Sequence, residues 1–259
     1  MKISIFSFAV NDKFPIDIAH RYFKKHIKDD FEYILFNDAS DARTERKLNT
    51  IASSNNIKSV RVPRHIHYSH NPSECYVNTL NWAVRDYAVK HNCEVIFLLH
   101  SDIFPIQDVS ISAIIQNNMI ASTVEARVTS EKTIIYLYPA FTMINMGLIK
   151  DVQELDFGLS PGLDVGAKTI PFIEKNKENI KYLDNHQMVN IMGSGSLYNS
   201  PFLEYFKNDL DICKAHGLSA GWIAEGFYHY MAGSRWNDSN PTFAAGHEKR
   251  MQLFLNYFY

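Results

Sequence analysis

The sequence predicts an α/β protein with a mostly parallel central sheet covered by helices. Over the first hundred residues, short apolar segments of β-strand composition alternate with longer segments whose apolar residues recur every three or four positions. This alternation is typical of β-α-β units, in which the strands lie parallel and the helices cover the sheet. The alternation is lost in the second half, where we expect antiparallel strands to extend the sheet.

The first half contains four predicted strands and three predicted helices. The strand segments are rich in β-branched and aromatic residues, as in "KISIFSFA" at 2–9, and fit a sheet that is buried on both faces. The first helical segment places Ile16, Ala19 and Phe23 on one face. The predicted strands are 2–9, 31–37, 57–62 and 94–99, and the predicted helices are 14–27, 41–54 and 73–91.

The second half is less regular. The apolar segment 123–146 is interrupted by "TSEK", which predicts two or three strands, and a short helix precedes a further strand at 180–183. Segment 202–213 has helical spacing, and 225–236 fits a strand or extended segment that leads into a glycine turn. One face of a C-terminal helix is apolar and packs either on the body or on a second copy of the chain; it carries Met251, Phe254, Leu255 and Phe258.

Length and composition predict a single domain, 1–259. The chain is 46% hydrophobic, enough for a sizeable core, and has no repeat, low-complexity tract or linker. Its 26 basic side chains are balanced by 28 acidic ones, so nucleic acid is not an expected partner. The three cysteines lack metal-ligand spacing, and no segment has the roughly 18 apolar residues of a membrane-spanning helix. We therefore expect a soluble cytoplasmic protein without a transmembrane segment.

All four predicted strands of the first half end in polar segments, namely "AVND", "NDASD", "PRHIHYSHN" and "HSD". The carboxyl ends of parallel strands lie at one edge of a sheet, and ligands of open α/β sheets bind outside that edge. Each segment alone also fits an ordinary turn or helix N-cap. Their coincidence at one edge favours a binding site there.

The last of these segments, His100-Ser101-Asp102, carries two groups that bind divalent cations. A carboxylate oxygen suits Mg²⁺ or Mn²⁺, and an imidazole nitrogen suits Mn²⁺ better than Mg²⁺. The alternative is a hydrogen-bonded histidine at a strand end, followed by an aspartate that caps the next element. The segment alone is compatible with both interpretations.

The order of these segments resembles that of family 2-type glycosyltransferases of the GT-A fold. "YILFNDASDART" is similar to the second strand of that family, with Asn37 and Asp38 on its acidic pair, and Asn81 falls on the asparagine of an Asn-x-Gly helix end. "EVIFLLHSDIFP" falls on the strand with the Asp-x-Asp pair. The resemblance implies a Rossmann-like GT-A domain with a nucleotide-binding half at 1–106 and an acceptor-binding half at 107–259.

The resemblance also implies a nucleotide-sugar donor, either a UDP-sugar or a GDP-sugar. Asp38 would accept hydrogen bonds from the base, a main-chain group near Ala9 would help to hold it, and Asn37 and Asn81 would belong to the same site.

A divalent cation, Mn²⁺ or Mg²⁺, is implied as well. Asp102 would ligate it beside Ser101, and His100 would either ligate it or contact the ribose. His100 and Asn37 stand where the family has acidic residues. Both changes remove negative charge, which is also compatible with a mechanism that depends little on metal.

A later segment resembles the rest of such a site. In several GT-A enzymes a late histidine is a further metal ligand and a glycine-containing basic loop holds the diphosphate; His229 and the segment Gly233-Ser234-Arg235 are similar. Glycine-turn N–H groups and the arginine fork both bind phosphate oxygens. The alternative is an aromatic strand that ends in a turn.

Two carboxylates are candidates for a base that deprotonates the acceptor. Asp164 lies between two glycines and resembles an Asp-x-Gly element of nucleotide-sugar enzymes, and Glu225 is its competitor. Each also fits a non-catalytic role, as a turn residue and as a solvated acid. Ser69 and His70 line the cleft or simply form a loop. A closed zinc site is not expected in their histidine-rich segment, which lacks cysteine and a second histidine motif.

The predicted function is hexosyltransferase-like: transfer of a sugar from a nucleotide-diphosphate-sugar to a hydroxyl of a glycan or another acceptor. One alternative is a non-catalytic nucleotide- or carbohydrate-binding relative. Another is a nucleotidyltransferase, which would need a glycine-rich basic loop after the first strand. The segment "FAVNDKFP" has no glycine, which counts against this second alternative.

Overall fold

The computed structural model describes residues 1–66, 71–128, 132–184, 186–187, 200–233 and 238–259. Contacts between Cα atoms divide the chain into two compact units. The first unit comprises Met1–Val10, Ile27–His100 and Ser110–Leu183, and the second comprises Asn11–His26, Ser101–Val109 and Asp184–Tyr259. The single domain expected from composition stays a prediction.

A seven-stranded sheet forms the centre of the first unit. Its strands are β1 (Ile3–Ala9), β2 (Phe31–Asn37), β3 (Lys58–Arg61), β4 (Val95–His100), β6 (Ile120–Val128), β7 (Thr133–Asn145) and β8 (Ile180–Tyr182). They lie in the order β3-β2-β1-β4-β7-β6-β8, and all neighbours are parallel except β4–β7 and β6–β7. The predicted α/β class, with a mostly parallel sheet and antiparallel additions from the second half, is confirmed.

The helices of the first unit follow the predicted positions, with one addition and one change. They are α2 (Ala42–Ser54), α3 (Pro72–Trp82), α4 (Ile111–Ile115) and α5 (Ile170–Asn176). Helix α4 was not predicted. The predicted helix 73–91 changes to a π-helical stretch at Ala83–Ala88, directly after α3. The start of α2 is fixed by Asp41, whose carboxylate accepts the N–H groups of Arg43 and Thr44 at 2.9 Å.

The described residues of the second unit form a four-stranded antiparallel sheet and three helices. The strands, in the order β5-β11-β10-β9, are β5 (Ile103–Pro105), β9 (His186–Gln187), β10 (Trp222–Ala224) and β11 (Phe227–His229). The helices are α1 (Ile16–His26), α6 (Ser200–His216) and α7 (Pro241–Phe258). Strand β5 was not predicted: it is three residues long and ends in Pro105, which an edge strand tolerates because its outer side needs no N–H.

The segment predicted as extended over 225–236 is a tight hairpin at its start. Glu225 and Gly226 have φ values of +48° and +83° and connect β10 to β11. Two consecutive residues in the left-handed region are characteristic of a type I′ turn, whose twist matches that of the two strands. Among the described residues, the strand part of this segment is therefore only Phe227–His229.

Helix α1 follows β1 in sequence and was expected to cover the central sheet, but it belongs to the second unit. Its aromatic residue Tyr22 packs edge-on against Phe104 of β5 and Phe258 of α7, with ring centroids 5.6 and 5.4 Å apart. Phe254 and Phe258 are buried in the same cluster, so the apolar face of α7 packs within this unit. Within the described ranges, no helix is long and apolar enough to cross a membrane.

Helix α1 also makes the second unit sensitive to acid. His20 is buried, and burial together with the nearby positive charge of Lys24 lowers its pKa from 6.5 to about 4. The unfolded chain binds this proton at higher pH than the folded chain, so stability falls as the pH drops from about 6.5 towards 4. After allowance for solvent screening, we expect a loss of about 1 to 2 kcal/mol from this residue.

The measurement is urea unfolding of the wild type and His20→Gln at pH 7 and at pH 4.5. The wild type should lose more stability between the two pH values than the variant, which cannot titrate at this position. An equal loss in both proteins would contradict the assignment.

Candidate functional site

Parallel pairing places the last residues of three strands side by side in the first unit. Ala9 pairs with Asn37, and Phe8 pairs with His100. The N–H of Asp38 donates to the carbonyl of Ala9 at 2.9 Å, which extends the contact between β1 and β2 by one residue. The polar edge expected from the sequence is thus formed by the ends of β1, β2 and β4.

Asp38 is held at this edge by helix α3. The residue is 3% exposed, and its Oδ2 accepts a hydrogen bond from the Thr79 hydroxyl at 3.0 Å. A hydrogen bond from a packed helix fixes the carboxylate in one orientation. Asp38 is therefore a preorganised acceptor at the edge where ligands of such sheets bind.

Asn37 has a different role from its neighbour. Its amide nitrogen donates to the Glu45 carbonyl at 3.1 Å and to Asn49 Oδ1 at 3.0 Å, and its amide oxygen accepts the Ala39 N–H at 3.2 Å. These bonds tie the end of β2 to helix α2. They shape the turn that carries Asp38, and the predicted contact between Asn37 and a nucleotide gains no support from them.

Arg61, at the end of β3, is a residue of this edge that was not predicted from the sequence. Its guanidinium donates to the carbonyls of Asn37 and Ala39 at 2.6 and 2.7 Å and pairs with Glu45 at 3.3 Å. The carbonyls on either side of Asp38 are thereby fixed. The only sequence signal was a basic residue at the end of a predicted strand.

Aromatic rings surround His100 in the first unit. Tyr76 of α3 and Tyr138 of β7 lie edge-on to the imidazole, with ring centroids 5.1 and 6.1 Å away, and Phe8 lies 5.8 Å from Tyr76. Aromatic faces of this kind stack with nucleobases without selecting among them. These three rings were not predicted as site residues, because each fits an ordinary core position in the sequence.

Asp102 and His229 form a buried pair in the second unit. The residue after Asp102 pairs with His229 across β5 and β11, and the Tyr230 N–H donates to the Asp102 carbonyl at 2.9 Å. The two side chains are 8% and 2% exposed, and Asp102 Oδ1 lies 3.2 Å from His229 Nε2. Two residues assigned to one metal from sequence, 127 positions apart, are thus in contact.

Gly233 completes the surroundings of Asp102. Its N–H donates to Asp102 Oδ2 at 2.7 Å. A Cβ at this position would lie 2.7 Å from the Asp102 Cβ and 2.9 Å from the ring of Phe14, distances that real Cβ atoms do not show. Only glycine allows the backbone to approach the carboxylate this closely. The predicted contact between Gly233 and a diphosphate stays a prediction.

The chain reaches Gly233 through two residues in an unfavourable conformation. Met231 and Ala232 have φ values of +61° and +56°. The left-handed conformation costs about 1 to 2 kcal/mol of free energy for each residue with a Cβ. Contacts with the surrounding structure must offset this cost.

Arg250 of α7 supplies part of that compensation. Its guanidinium donates to the Tyr230 carbonyl at 2.5 Å and to the Met231 carbonyl at 3.1 Å. It is also paired with Asp209 of α6, through Nε at 2.7 Å and Nη2 at 2.9 Å, and both residues are fully buried. This network was not predicted, because neither residue belongs to a local pattern.

Two tyrosines extend the same network. The Tyr228 hydroxyl donates to Asp209 Oδ2 at 3.2 Å and lies 3.5 Å from the Tyr205 hydroxyl. Burial, reinforced by the Asp209 charge, raises the pKa of both phenols well above 10. Burial opposes the charge of Arg250, but the Asp209 carboxylate outweighs it and raises the pKa of the guanidinium well above its ordinary value. The arginine therefore stays charged and the tyrosines stay neutral.

Of the remaining predicted residues, some bind other parts of the fold, some are exposed, and some lie outside the described ranges. Asn81 donates to Asp156 at 2.9 Å and accepts the Phe157 N–H at 3.0 Å, which ties α3 to a loop. Asp164 is exposed, and its carboxylate accepts the N–H of the next residue at 2.7 Å. Glu225 is exposed in the hairpin turn, at the other end of β11 from His229. Ser101 is partly buried between β4 and Asp102. Ser69, His70, Ser234 and Arg235 lie outside the described residues.

Asp102 and His229 fit a divalent cation in chemistry and spacing. They offer one carboxylate oxygen and one imidazole nitrogen, a combination that suits Mn²⁺. Two ligand atoms that each lie about 2.1 Å from one ion, at right or tetrahedral angles, are about 3.0 to 3.4 Å apart. The 3.2 Å between Oδ1 and Nε2 falls within this range.

Comparison with known proteins gives remote structural similarities only. No protein-family model and no curated protein matches the chain. The bifunctional glycosyltransferase WbbM is 10% identical, with a TM-score of 0.45 over 70% of this chain and 38% of its own. The galactosyltransferase LgtC, solved with donor and acceptor sugar analogues, is 10% identical, with a TM-score of 0.44 over 96% of both chains. A mannosyltransferase from Pyrobaculum calidifontis, solved with GDP-Man and Mn²⁺, is 10% identical, with a TM-score of 0.46 over 70% of this chain and 54% of its own.

These similarities carry neither function nor site residues over to this chain, because identity is 10% and every one of the three TM-scores is below 0.5. The chain also spans only 38% of WbbM and 54% of the mannosyltransferase.

Proposed function

We propose that this protein is a glycosyltransferase that moves a sugar from a nucleotide-diphosphate-sugar to an acceptor hydroxyl with the help of a divalent cation. The observation that carries the proposal is the buried pair of Asp102 and His229, 3.2 Å apart, with the Gly233 N–H on the second carboxylate oxygen. Burying a carboxylate costs free energy, and a hydrophobic core does not require a carboxylate beside an imidazole. A cation that both side chains bind would explain why they are buried together.

Asp102 and His229 are the proposed protein ligands of the cation, with His100 as the third. Only Ser101 separates His100 from Asp102, so their Cα atoms are at most about 7 Å apart. His100 is proposed as a ligand because it is the first residue of the His-Ser-Asp segment that contains Asp102. When bound, Mn²⁺ or Mg²⁺ would offset the negative charge of the departing diphosphate.

The strand ends of the first unit are the proposed nucleoside site. Asp38, held by Thr79, accepts hydrogen bonds from the base or ribose, and the main chain at Ala9 lies beside it. Tyr76 offers an aromatic ring close to His100 for stacking. These groups select a nucleotide but not a particular sugar, in keeping with either a UDP-sugar or a GDP-sugar.

Two roles in the proposal rest on sequence alone. Ser234 and Arg235 follow Gly233 and are the proposed donors to the diphosphate. Asp164 and Glu225 are alternative bases for an inverting reaction, and a retaining reaction needs neither of them. The acceptor is a hydroxyl compound such as a glycan.

The experiment that tests this function is a thermal-shift titration with UDP and with GDP, with and without Mn²⁺, alongside an assay of donor hydrolysis. We expect stabilisation that requires both nucleotide and metal. Binding that is indifferent to metal, together with no hydrolysis, would support the non-catalytic alternative. Failure of both nucleotides to bind would rule out an enzyme that uses a UDP- or GDP-sugar, and also a non-catalytic relative that binds either nucleotide.

Two glycine substitutions, one at the proposed site and one elsewhere, show whether the metal in this titration binds at Asp102. Gly233→Ala should weaken Mn²⁺ binding about 10- to 100-fold, because the new Cβ displaces the Asp102 carboxylate. Gly147→Ala is the matched control, since Gly147 is exposed and a Cβ there meets only the Asn145 side chain, at 3.5 Å. Equal Mn²⁺ affinity in the two variants would count against a metal at Asp102.

A further inference from the structure

We propose that Arg250, oriented by Asp209, is a positioning residue for the candidate metal site. It holds the turn 230–233 in the conformation that brings the Gly233 N–H onto Asp102. The inference about the turn stands on the geometry of the second unit, and its effect on metal binding rests on the proposed function.

The contacts form a continuous path from α6 to Asp102. Asp209 binds the Nε and Nη2 edge of Arg250 at 2.7 and 2.9 Å, which leaves donors directed at the carbonyls of Tyr230 and Met231. Two residues further along the chain, Gly233 donates to Asp102 at 2.7 Å. Four donor contacts of a single guanidinium thus link a buried acid to the backbone of the turn.

The turn needs this support because of its sequence. Met231 and Ala232 both adopt positive φ, where a Cβ is unfavourable, and glycine stands only at the following position. A chain without the Arg250 contacts would relax towards negative φ at these two residues. Such a relaxation moves the Gly233 N–H away from the carboxylate.

Position 250 requires arginine, and another positively charged side chain cannot replace it. The planar fork presents donors in fixed directions to Asp209 and to two carbonyls at once, whereas a lysine ammonium is a compact group on a flexible stem. The centre of the Tyr230 ring also lies 4.2 Å from the guanidinium carbon, so the ring restricts the guanidinium from one face. Arg250→Lys therefore keeps the charge and removes the geometry.

The test follows the Gly233 amide by NMR in protein labelled with ¹⁵N-glycine, and Mn²⁺ affinity with and without UDP or GDP. In Arg250→Lys the Gly233 proton should lose its carboxylate-bonded shift and exchange faster with solvent, and Mn²⁺ affinity should fall about 10-fold. Adding Ala232→Gly should restore both readouts in large part, because glycine adopts positive φ readily. A purely structural ion pair would lower stability without this rescue.

A second variant covers the case in which Arg250→Lys does not fold. Ala232→Val leaves Arg250 intact and makes positive φ less favourable at a partly exposed position, so the Gly233 amide and Mn²⁺ affinity should change in the same direction. Gln116→Val is the matched control: Gln116 is exposed in the first unit, with φ of +47°, and its replacement should change neither readout.

Unchanged Gly233 signals in folded Arg250→Lys or in Ala232→Val would overturn the inference. The proposed function and the positioning role of Arg250 can be contradicted independently. If the wild type binds no Mn²⁺, the proposed function loses its metal, while the Gly233 amide alone still decides whether Arg250 positions the turn.

Discussion

Asp102→Asn should reduce Mn²⁺-dependent turnover of a nucleotide-sugar by at least about 100-fold, because it replaces the proposed anionic metal ligand by a neutral amide. The fold should survive, since the amide oxygen of Asn can still accept the Gly233 N–H that now binds Asp102 at 2.7 Å. The measurement is nucleotide release from UDP- and GDP-sugars with and without Mn²⁺, together with thermal unfolding of the same samples.

Asp108→Asn is the matched control for this variant. Asp108 belongs to the same unit, and its exposed carboxylate pairs with His26, which is not a proposed ligand, at 3.0 Å. It should leave turnover unchanged, because exposed pairs contribute little to stability. Turnover by Asp102→Asn that still responds to Mn²⁺ as the wild type does would contradict the assignment of this carboxylate.

The largest effect on stability is expected at the buried ion pair. Asp209→Ala leaves the Arg250 charge in the core without its partner, which should lower the free energy of unfolding by about 3 to 5 kcal/mol. It also removes the acceptor of the Tyr228 hydroxyl. Urea unfolding at neutral pH, followed by circular dichroism, measures the loss.

A double variant separates the isolated charge from the lost packing. Asp209→Leu with Arg250→Met removes both charges and should recover a large part of the stability lost in Asp209→Ala, since buried pairs are often replaceable by apolar residues. It should not restore Mn²⁺ affinity, because the carbonyls of Tyr230 and Met231 lose their donor. A loss below about 1 kcal/mol in Asp209→Ala would mean that Arg250 finds water or another acceptor, against its full burial.

The central sheet was predictable because its strands are locally encoded. β1, β2 and β4 are mostly apolar, as is typical of buried parallel strands, and their bounds differ from the predicted ones by at most one residue. β5 was not predictable in this way, since its three residues pair with β11, more than a hundred positions later in the chain. The helical pattern of α1 is clear in the sequence. The sequence does not show which unit the helix joins, because that depends on its packing against rings such as Phe104 and Phe258.

The residues of the candidate site also differ in whether the local sequence could predict them. Asp102 and His229 could be predicted because carboxylate and imidazole at strand ends are a chemical signal in themselves, and the structure brings them into contact. Arg61, Asp209 and Arg250 could not, because their importance lies in which carbonyl or carboxylate each of them meets after folding. Asn37 shows the converse: a motif position suggested a ligand contact, whereas its amide bonds to α2.

The most direct test of the metal proposal is anomalous diffraction at the manganese edge from crystals grown with MnCl₂ and UDP. We expect one strong peak within bonding distance, about 2.1 to 2.3 Å, of an Asp102 carboxylate oxygen and a His229 ring nitrogen. Asp102→Asn crystals grown in the same way should lack it. A well-ordered Asp102 and His229 that remain in direct contact, with no manganese at saturating concentration or with manganese bound elsewhere, would contradict the account.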